Sequence, residues 1–429
     1  MTMTMSTALL TDHYELTMLQ AALRSGAAHR RAVFEVFARH LPGGRRYGVV
    51  AGTGRVLDEL RNFRFGEEEL TFLRENSVVD EPTLAFLADY RFSGNVYGYR
   101  EGDLYFPASP ILVVEGTFAE AVLLETLVLS TLNHDCAIAS AASRMVNAAG
   151  KRPLIEMGSR RTHERAAVAA ARAAYLAGFS ATSNLMAGHA YGVPTAGTAA
   201  HAFTLLHDSE KEAFEAQVAS LGPETTLLVD TYDVPEAVRT AVELVGPKLG
   251  AVRIDSGDLA AAAQAVREQL DAHGAFETRI LVTSDLDEYA IAALAAAPVD
   301  AYGVGTSLVT GSGVPTAALV YKLVARESAS GRLEAVAKRS VGKPSRGGRK
   351  EAYRLVDEYG HFDTELVTTS GPAPEGGIPL LHPLVMDGEV VGAEPLAEAR
   401  RRHEEAVSRL PQDALHLGRG YAAIPTEFA

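Results

Sequence analysis

The chain has 429 residues, of which 47% are hydrophobic and 22% are charged, so it can bury a large core. We expect two domains or one elaborated barrel. The 40 basic and 54 acidic residues give a net charge of −14, which argues against a nucleic-acid-binding surface but permits a local basic pocket for an anion.

Cysteine content and the first residues indicate the compartment. Cys136 is the only cysteine, which excludes an intramolecular disulfide and a cysteine-ligated zinc site. The opening MTMTMSTALLTDHYELTML lacks a basic segment followed by an apolar core, and we expect no later stretch to be apolar over the ~20 residues of a membrane-spanning helix. We therefore expect a cytoplasmic protein that is neither exported nor inserted into a membrane.

Residues 1 to about 130 predict a compact α+β unit. Short strand-like segments with alternating apolar residues are AVFEVFARH (32–40), RYGVVAG (46–52) and PILVVEG (110–116). They are joined by acidic segments typical of helices, such as FGEEELTFLREN.

From about residue 151 to 325 the pattern becomes apolar strand, turn and alanine-rich helix in steady alternation, which is typical of parallel βα units. Helix boundaries are readable here. Asp233 is placed to cap a helix that has Glu236 three residues later and Gly246 just past its end, and Ser209 and Gly222 frame another helix in the same way.

Seven consecutive predicted strands of this zone end in residues that a purely structural turn would not require. In chain order they are Arg160 and Arg161 in EMGSRR, Ser183 and Asn184 in SATSN, His201 in GTAAH, Asp230 and Asp233 in VDTYD, Arg253, Asp255 and Asp258 in RIDSGD, Ser284 and Asp285 in TSDLDE, and Gly303, Gly305 and Thr306 in GVGTS. Any one of these turns could be a helix cap or a solvated loop. In a parallel barrel all strand C-termini face one mouth, whereas an open doubly wound sheet gathers them only near its switch point. We therefore favour a barrel.

Two of these turns indicate the ligand class. GVGTS is a glycine-rich turn that enters a helix, where backbone N–H groups favour phosphate, although many such turns need glycine only for its backbone freedom. RIDSGD places a guanidinium beside two carboxylates, which suits ribose hydroxyls, a diphosphate and Mg²⁺. Together they indicate a phosphorylated sugar with a metal-bound leaving group.

Ordered motifs along nearly the whole chain resemble one known family, the nicotinate phosphoribosyltransferases. They are LLTDHYELTM, LPGGRRYGVVAG, EGTFAEAVLLETLVLS, EMGSRR, GFSATSNLMAG, GTAAHAF, VDTYD, RIDSGDL, TSDLDE, GVGTSLVT and VYKLV. The resemblance implies transfer of phosphoribose from phosphoribosyl pyrophosphate to nicotinate, giving nicotinate mononucleotide and pyrophosphate in NAD salvage. It also implies ATP as a co-substrate and Mg²⁺ held mainly by pyrophosphate and water.

The implied fold is a type II phosphoribosyltransferase, an irregular parallel α/β barrel with an α/β sandwich domain built from N- and C-terminal segments. The corresponding divisions are 1–130 for the first part of the sandwich, 131–330 for the barrel and 331–429 for the return into the smaller domain. The resemblance further implies a homodimer with its active site at the interface. Tyr14 would reach the neighbouring pocket and stack on the pyridine ring, the alternative being a buried tyrosine on a helix face.

The resemblance assigns roles to particular side chains. Arg160 and Arg253 would contact anions, and Asp255 would hold ribose hydroxyls or metal-bound water. The predicted substrate-binding set is completed by Met157, Ser183, Asp258, Ser284, Gly303, Gly305 and Thr306. Met157 stands where relatives often have an aromatic residue, and a thioether can also lie against a ring.

His201 has two interpretations. A lone histidine in an apolar setting is usually a hydrogen-bonded core residue. The resemblance instead places the family's phosphohistidine here, with Asp230 orienting the imidazole.

Two other functions remain open. A nicotinamide phosphoribosyltransferase would share the barrel and the phosphohistidine but accept a neutral amide. A non-catalytic barrel that binds a phosphosugar would bind ligand without releasing pyrophosphate.

Overall fold

The computed structural model describes residues 6–338 and 346–429. The chain divides into two compact units, which we call unit 1 (Met1–Ala137 and Val314–Ala429) and unit 2 (Ile138–Gly313). The predicted divisions lie at residues 130 and 330, and those of the structure lie at 137 and 313.

The described residues contain helices and strands in mixed order along the chain. The α-helices are α1 (His13–Ser25), α2 (Thr53–Arg61), α3 (Glu67–Glu75), α4 (Glu81–Ala88), α5 (Phe118–Val122), α6 (Glu125–Ala149), α7 (Glu164–Leu176), α8 (Leu185–Tyr191), α9 (His201–Leu206), α10 (Glu210–Leu221), α11 (Val234–Val245), α12 (Leu259–Ala272), α13 (Glu288–Ala293), α14 (Thr306–Val309) and α15 (Leu396–Ser408). The strands are β1 (Arg31–Ala38), β2 (Gly48–Val49), β3 (Asn95–Gly98), β4 (Leu104–Tyr105), β5 (Leu112–Thr117), β6 (Leu154–Glu156), β7 (Ala181–Thr182), β8 (Thr226–Leu228), β9 (Ala251–Ile254), β10 (Arg279–Val282), β11 (Ala301–Val304), β12 (Leu319–Glu327), β13 (Leu333–Ala335), β14 (Glu351–Val356), β15 (Phe362–Thr368), β16 (Ile378–Pro379), β17 (His382–Met386), β18 (Glu389–Val390) and β19 (Thr426–Phe428).

Unit 1 is built on a seven-stranded antiparallel sheet in the order β13-β12-β1-β5-β3-β17-β18. Its strand β1 is rich in Val and Phe, residues that pack well on a pleated surface, and its Phe34 stacks on Tyr321 of β12 with ring centroids 4.9 Å apart. A four-stranded sheet, β16-β14-β15-β19, brings the C-terminal segment into the same unit.

Strand β12 corrects part of the sequence prediction, which placed the stretch up to residue 325 among the parallel βα units. It pairs antiparallel with β1, with Leu323 opposite Phe34. The alternating pattern of this strand suits either sheet, because local sequence does not specify a strand's partner.

Unit 2 contains a six-stranded parallel sheet in the order β7-β6-β11-β10-β9-β8, curled into a half-barrel. Its helices begin where caps were predicted: Asp233 accepts a hydrogen bond from Glu236 N at 3.0 Å, and Ser209 accepts one from Glu212 N at 3.2 Å. The predicted α/β barrel with a second α/β domain from both chain ends is confirmed, as an incompletely closed barrel.

One of the seven predicted strands is not a strand. The segment VPTAGTAAH contributes a single parallel bridge, from Thr195 to Thr182 at the end of β7. Pro194 supplies no N–H to a ladder, and glycine and alanine bury little side chain on a sheet, so the segment runs beside β7 without extending the sheet.

One helical segment corrects the prediction that no stretch is apolar enough to cross a membrane. By length and composition, Phe118–Ala149 would be long and apolar enough, the one such segment among the described residues. However, 67% of its most apolar window is buried inside the protein, as in the core helix of a soluble protein.

Candidate active site

Four strands of the parallel sheet, β6, β9, β10 and β11, end at one cleft of about 290 Å³ in unit 2. Its lining residues are Met157, Arg160, Arg161, Arg253, Asp255, Thr283, Ser284, Asp285, Gly303, Gly305 and Thr306. The expected convergence of strand ends is thus observed for residues far apart in sequence, because the C-termini of parallel strands point the same way. Of this lining, sequence reasoning did not anticipate Thr283.

Three arginines give the cleft positively charged groups. Arg160 and Arg161 follow β6, and Arg253 lies within β9. Burial lowers the pKa of Arg253, opposed by Asp255 and Asp230 and reinforced by Arg160. The guanidinium remains charged, and its Nε is buried without a hydrogen-bond partner among the described residues.

Glycine shapes the floor of the cleft at one position. A Cβ on Gly303 would lie 2.5 Å from Cγ2 of Thr283 and 2.8 Å from Sδ of Met157, so only glycine lets those two side chains approach. A Cβ on Gly305 would meet nothing closer than 3.5 Å, so steric crowding does not require glycine there.

Ser284 holds an unusual backbone conformation at the end of β10. Its φ of 117° is rarely adopted by a residue with a side chain, and it places an exposed serine on the cleft lining. Such strain is concentrated at functional sites, where the surrounding structure maintains it.

His201 is the first residue of α9, and its side chain is 40% exposed, so the core interpretation is wrong. Its Nδ1 lies 3.1 Å from Oγ1 of Thr231. Its Nε2 faces two carboxylates, at 3.8 Å from Asp230 Oδ1 and 3.9 Å from Asp255 Oδ2. The imidazole is therefore held between a hydroxyl and a pair of acidic groups.

Asp230, the predicted orienting group, faces His201 without a direct hydrogen bond. Its side chain is 3% exposed, and Oδ2 accepts hydrogen bonds from Asp255 N at 2.9 Å and from Ser256 Oγ at 2.6 Å. Oδ1, which faces the imidazole, is buried and has no other partner within the described part of the chain. The hydrogen-bonded neighbour of His201 is Thr231, which sequence reasoning did not single out although it follows Asp230 in VDTYD.

Asp255 links His201 to the cleft. Its Oδ1 accepts a hydrogen bond from Thr283 Oγ1 at 2.5 Å, and its Oδ2 points toward the imidazole. Asp285 lies on the same lining, so two carboxylates share the cleft with the arginines.

Glu156 is a buried carboxylate beside the cleft that sequence reasoning missed. It is fully buried at the end of β6 and accepts hydrogen bonds from Gly158 N and Thr182 Oγ1. Burial raises its pKa, while those two hydrogen bonds oppose the rise. The available signal was a lone acidic residue closing the otherwise apolar strand LIE.

Residues 9–133 match the family model described as the nicotinate phosphoribosyltransferase (NAPRTase) N-terminal domain. A nicotinate phosphoribosyltransferase of Mycobacterium tuberculosis is 58% identical over 429 aligned residues, covering 97% of this chain and 94% of that protein. The chain belongs to the nicotinate phosphoribosyltransferase family.

Other members are similar over most of their length. A Bacillus subtilis nicotinate phosphoribosyltransferase is 38% identical over 368 residues, covering 83% of this chain and 74% of that protein. The crystal structure of human nicotinic acid phosphoribosyltransferase superposes with a TM-score of 0.84 at 26% identity, covering 98% of this chain and 97% of that one. The resemblance stated from the motifs is confirmed, and the chain is an enzyme of this family.

Five of the family-derived site residues lie outside the cleft lining: His201 and Asp230, described above, and Ser183, Asp258 and Tyr14. Ser183 donates its backbone N–H to the carbonyl of Glu156 at 2.8 Å, and Asp258 caps α12 by accepting from Ala261 N at 3.1 Å. Tyr14 lies on α1 of unit 1 and is 43% exposed, so it is not a buried helix-face residue. Burial, followed by Glu125 and Glu15, raises the pKa of Tyr14.

Proposed function

We propose that this enzyme transfers phosphoribose from phosphoribosyl pyrophosphate to nicotinate, with ATP coupling through His201. Family membership at 58% identity over nearly the whole chain supports the reaction. The observation that carries the assignment to this cleft is that Arg160, Arg161 and Arg253 share one lining, where the Nε of the half-buried Arg253 has no hydrogen-bond partner among the described residues. An unpaired buried donor of this kind is stabilised when an anionic ligand accepts its hydrogen bond.

The cleft suits the two charged ends of phosphoribosyl pyrophosphate. Arg160, Arg161 and Arg253 supply guanidinium groups for phosphate or diphosphate oxygens, and Asp255 supplies a carboxylate for ribose hydroxyls. Gly303, Gly305 and Thr306 line the same cleft, where backbone N–H groups can donate hydrogen bonds to a phosphate.

The donor set also fits Mg²⁺ held partly by substrate. Asp255 and Asp285 share the cleft, and the described residues contain no group of three or more His, Cys, Asp or Glu side chains able to hold a metal ion by themselves. Mg²⁺ typically binds one or two carboxylates and completes its shell with substrate phosphates and water. When bound, it would neutralise charge on the departing pyrophosphate.

The chemical step requires no acid or base from the protein. The lone pair of the pyridine nitrogen forms a bond to C1 of the ribose as the bond from C1 to the pyrophosphate oxygen breaks, and that electron pair leaves with pyrophosphate. Because positive charge develops on the ribose and negative charge on the leaving group, catalysis comes from positioning and from the arginines that bind the diphosphate.

His201 would serve the ATP-coupling step. Asp230 and Asp255, both within 4.0 Å of Nε2, favour a proton on that nitrogen, which leaves Nδ1 as the unprotonated nitrogen beside Thr231. Nδ1 would attack the γ-phosphorus of ATP, forming an N–P bond as the bond to the bridging oxygen breaks and ADP departs.

The proposal includes a cytoplasmic homodimer whose base pocket is completed by Tyr14 of the second copy. The support is the 43% exposure of a tyrosine on α1, together with the family resemblance of TDHY. An exposed aromatic ring can stack on a flat heterocycle.

The decisive experiment supplies the purified enzyme with phosphoribosyl pyrophosphate, Mg²⁺ and either nicotinate or nicotinamide, with and without ATP. We expect nicotinate mononucleotide and pyrophosphate in the nicotinate reaction, with turnover raised by ATP. Product from nicotinamide alone would indicate the amide-specific enzyme. Ligand binding without pyrophosphate release would indicate a phosphosugar-binding barrel.

A further inference from the structure

A closed ring of hydrogen bonds joins two loops at the edge of the cleft. Starting from Glu156, the ring runs through Gly158 N to the loop Met157–Arg161 and through Thr182 Oγ1 to the end of β7. Thr182 Oγ1 also accepts from Asn184 N at 2.9 Å, and Asn184 Nδ2 donates to Ser159 Oγ at 3.0 Å. The last bond returns to the first loop and closes the ring.

The ring is buried at Glu156 and Thr182. The side chains of Glu156 and Thr182 are fully buried, and no lysine, arginine or histidine pairs with Glu156 among the described residues. A buried carboxylate without a cation is costly unless hydrogen bonds compensate for its lost hydration. Here those bonds hold the backbone of the loop that carries Arg160 and Arg161.

Packing ties a third strand end to the same loop. A Cβ on Gly158 would lie 2.2 Å from Cγ1 of Val309 and 3.0 Å from the carbonyl oxygen of Gly305, so the loop backbone lies directly against the segment after β11. Met157 N donates to the carbonyl of Val304 at 2.8 Å. Any displacement of Gly158 would therefore also disturb the GVGTS turn.

We propose that Glu156 is a positioning residue that sets the arginine loop for the diphosphate of the substrate. The inference rests on the proposed function. Glu156 acts through Gly158 and Thr182 and not by touching substrate. Its loss should weaken binding of phosphoribosyl pyrophosphate and leave binding of nicotinate largely intact.

Three variants test the ring. Glu156→Ala removes both acceptors, and Thr182→Val removes the hydroxyl that serves Glu156 and Asn184 while keeping the side-chain volume. Glu156→Gln is the rescue variant, because its amide oxygen can accept from Gly158 N and its NH₂ group can donate to Thr182 Oγ1. Glu288→Gln is the matched control: Glu288 is also buried in unit 2, bonded to Arg144 and Ser312, and does not line the cleft.

The measurements are calorimetric affinity for inorganic pyrophosphate, KM values for both substrates, kcat, and a melting curve. We expect Glu156→Ala and Thr182→Val to weaken pyrophosphate binding and to raise KM for phosphoribosyl pyrophosphate by about tenfold or more. A change of this size corresponds to the loss of one hydrogen bond to a charged group. Glu156→Gln should stay close to wild type. The double variant Glu156→Ala/Thr182→Val should be no worse than either single variant, because one break already opens the ring.

Other outcomes would overturn the inference. Folded Glu156→Ala or Thr182→Val protein with wild-type pyrophosphate affinity would exclude a positioning role. If Glu156→Ala does not fold, the pyrophosphate affinity of Thr182→Val is the test. A Glu156→Gln variant that melts normally but binds as poorly as Glu156→Ala would show that the charge matters and the ring does not. Loss of pyrophosphate affinity in Glu288→Gln would indicate a general effect of unit 2 stability. Wild-type enzyme that binds no pyrophosphate would instead contradict the proposed function.

Discussion

Lys350 and Arg354 of unit 1 form buried ion pairs with carboxylates of the chain, whereas the cleft arginines of unit 2 form no ion pair among the described residues. Lys350 and Glu35 are 2% and 4% exposed and meet at 2.7 Å, and Arg354 is enclosed with Glu365. At the cleft, Arg253 is half-buried and forms no ion pair among the described residues, although Asp255 and Asp230 are close enough to oppose the lowering of its pKa. Both regions bury cationic groups, and they differ in where the balancing anion comes from.

This difference separates a structural charge from a functional one. Removing one member of an internally paired set leaves an uncompensated buried charge, so the folded state is destabilised. Removing a cation whose partner is a ligand changes the stability of the free protein little but greatly weakens the complex with that ligand. Stability and ligand affinity should therefore respond oppositely to substitutions in the two regions.

The largest expected effect is on the stability of unit 1. Lys350→Met should lower the free energy of unfolding by about 3–5 kcal/mol, because Glu35 would remain buried and unpaired. Denaturant unfolding measures it. The double variant Glu35→Leu/Lys350→Met should recover much of the loss, and a single variant as stable as wild type would contradict the contrast between the units.

At the cleft, Arg253→Gln should leave the melting temperature nearly unchanged and reduce kcat/KM for phosphoribosyl pyrophosphate by about 2–5 kcal/mol in transition-state free energy. Steady-state kinetics over a range of substrate concentrations measure it. The matched variant Arg354→Gln should do the reverse, lowering the melting temperature with unchanged KM in the folded fraction. If both variants changed the melting temperature and KM in the same way, the contrast between the two regions would be wrong.

His201→Ala extends the comparison to histidines. We expect equal turnover with and without ATP and a normal melting curve, because the exposed imidazole fills no core position. The control is His403→Ala in unit 1, where the side chain is 4% exposed and burial lowers the pKa to about 4; its loss should reduce stability by about 1–3 kcal/mol and leave the ATP response intact. Retained ATP stimulation in His201→Ala would contradict the phosphohistidine.

Two carboxyls, one in each unit, should give the protein a pH-dependent stability. Burial raises the pKa of Glu15 from 4.5 to about 7, and burial together with Asp233, Glu236 and Asp230 raises that of Glu210 to about 7. Because the folded state holds these protons more tightly than the unfolded chain, stability should fall as pH rises from 4.5 to 7, by roughly 1–3 kcal/mol for Glu15. Glu15→Gln and Glu210→Gln should each flatten part of this slope in unfolding measurements, and an unchanged slope in both variants would refute the assignment.

The smallest expected effect concerns Tyr14. Tyr14→Ala should raise KM for nicotinate more than KM for phosphoribosyl pyrophosphate, since aromatic stacking contributes about 0.5–1.5 kcal/mol beyond area burial. Mixed dimers that combine this variant with a cleft-inactive copy test whether the tyrosine acts in the second subunit. Equal changes in both KM values would indicate a folding or assembly defect.

Local signals predicted part of the structure well. The helices α10 and α11 begin directly after their caps Ser209 and Asp233, because capping depends on hydrogen bonds within three residues of the cap. The residues that follow β6, β9, β10 and β11 were also found to meet, because the direction of a parallel strand places its C-terminal turn. Contacts between distant segments were not predicted from the sequence: β12 pairs within the antiparallel sheet, and VPTAGTAAH forms a single bridge.

The sequence by itself determined the family, the parallel α/β class and the chemical character of the strand ends, since motifs, strand periodicity and helix caps depend on short stretches of residues. Only the tertiary structure decided that Thr231 is the hydrogen-bonded neighbour of His201, that Glu156 is buried between two loops and that the Nε of Arg253 has no hydrogen-bond partner in the described part of the chain. Whether a charge is paired depends on which distant side chains surround it. Burial then sets its energetic consequence, because the cost of an unpaired charge rises as water is removed from around it.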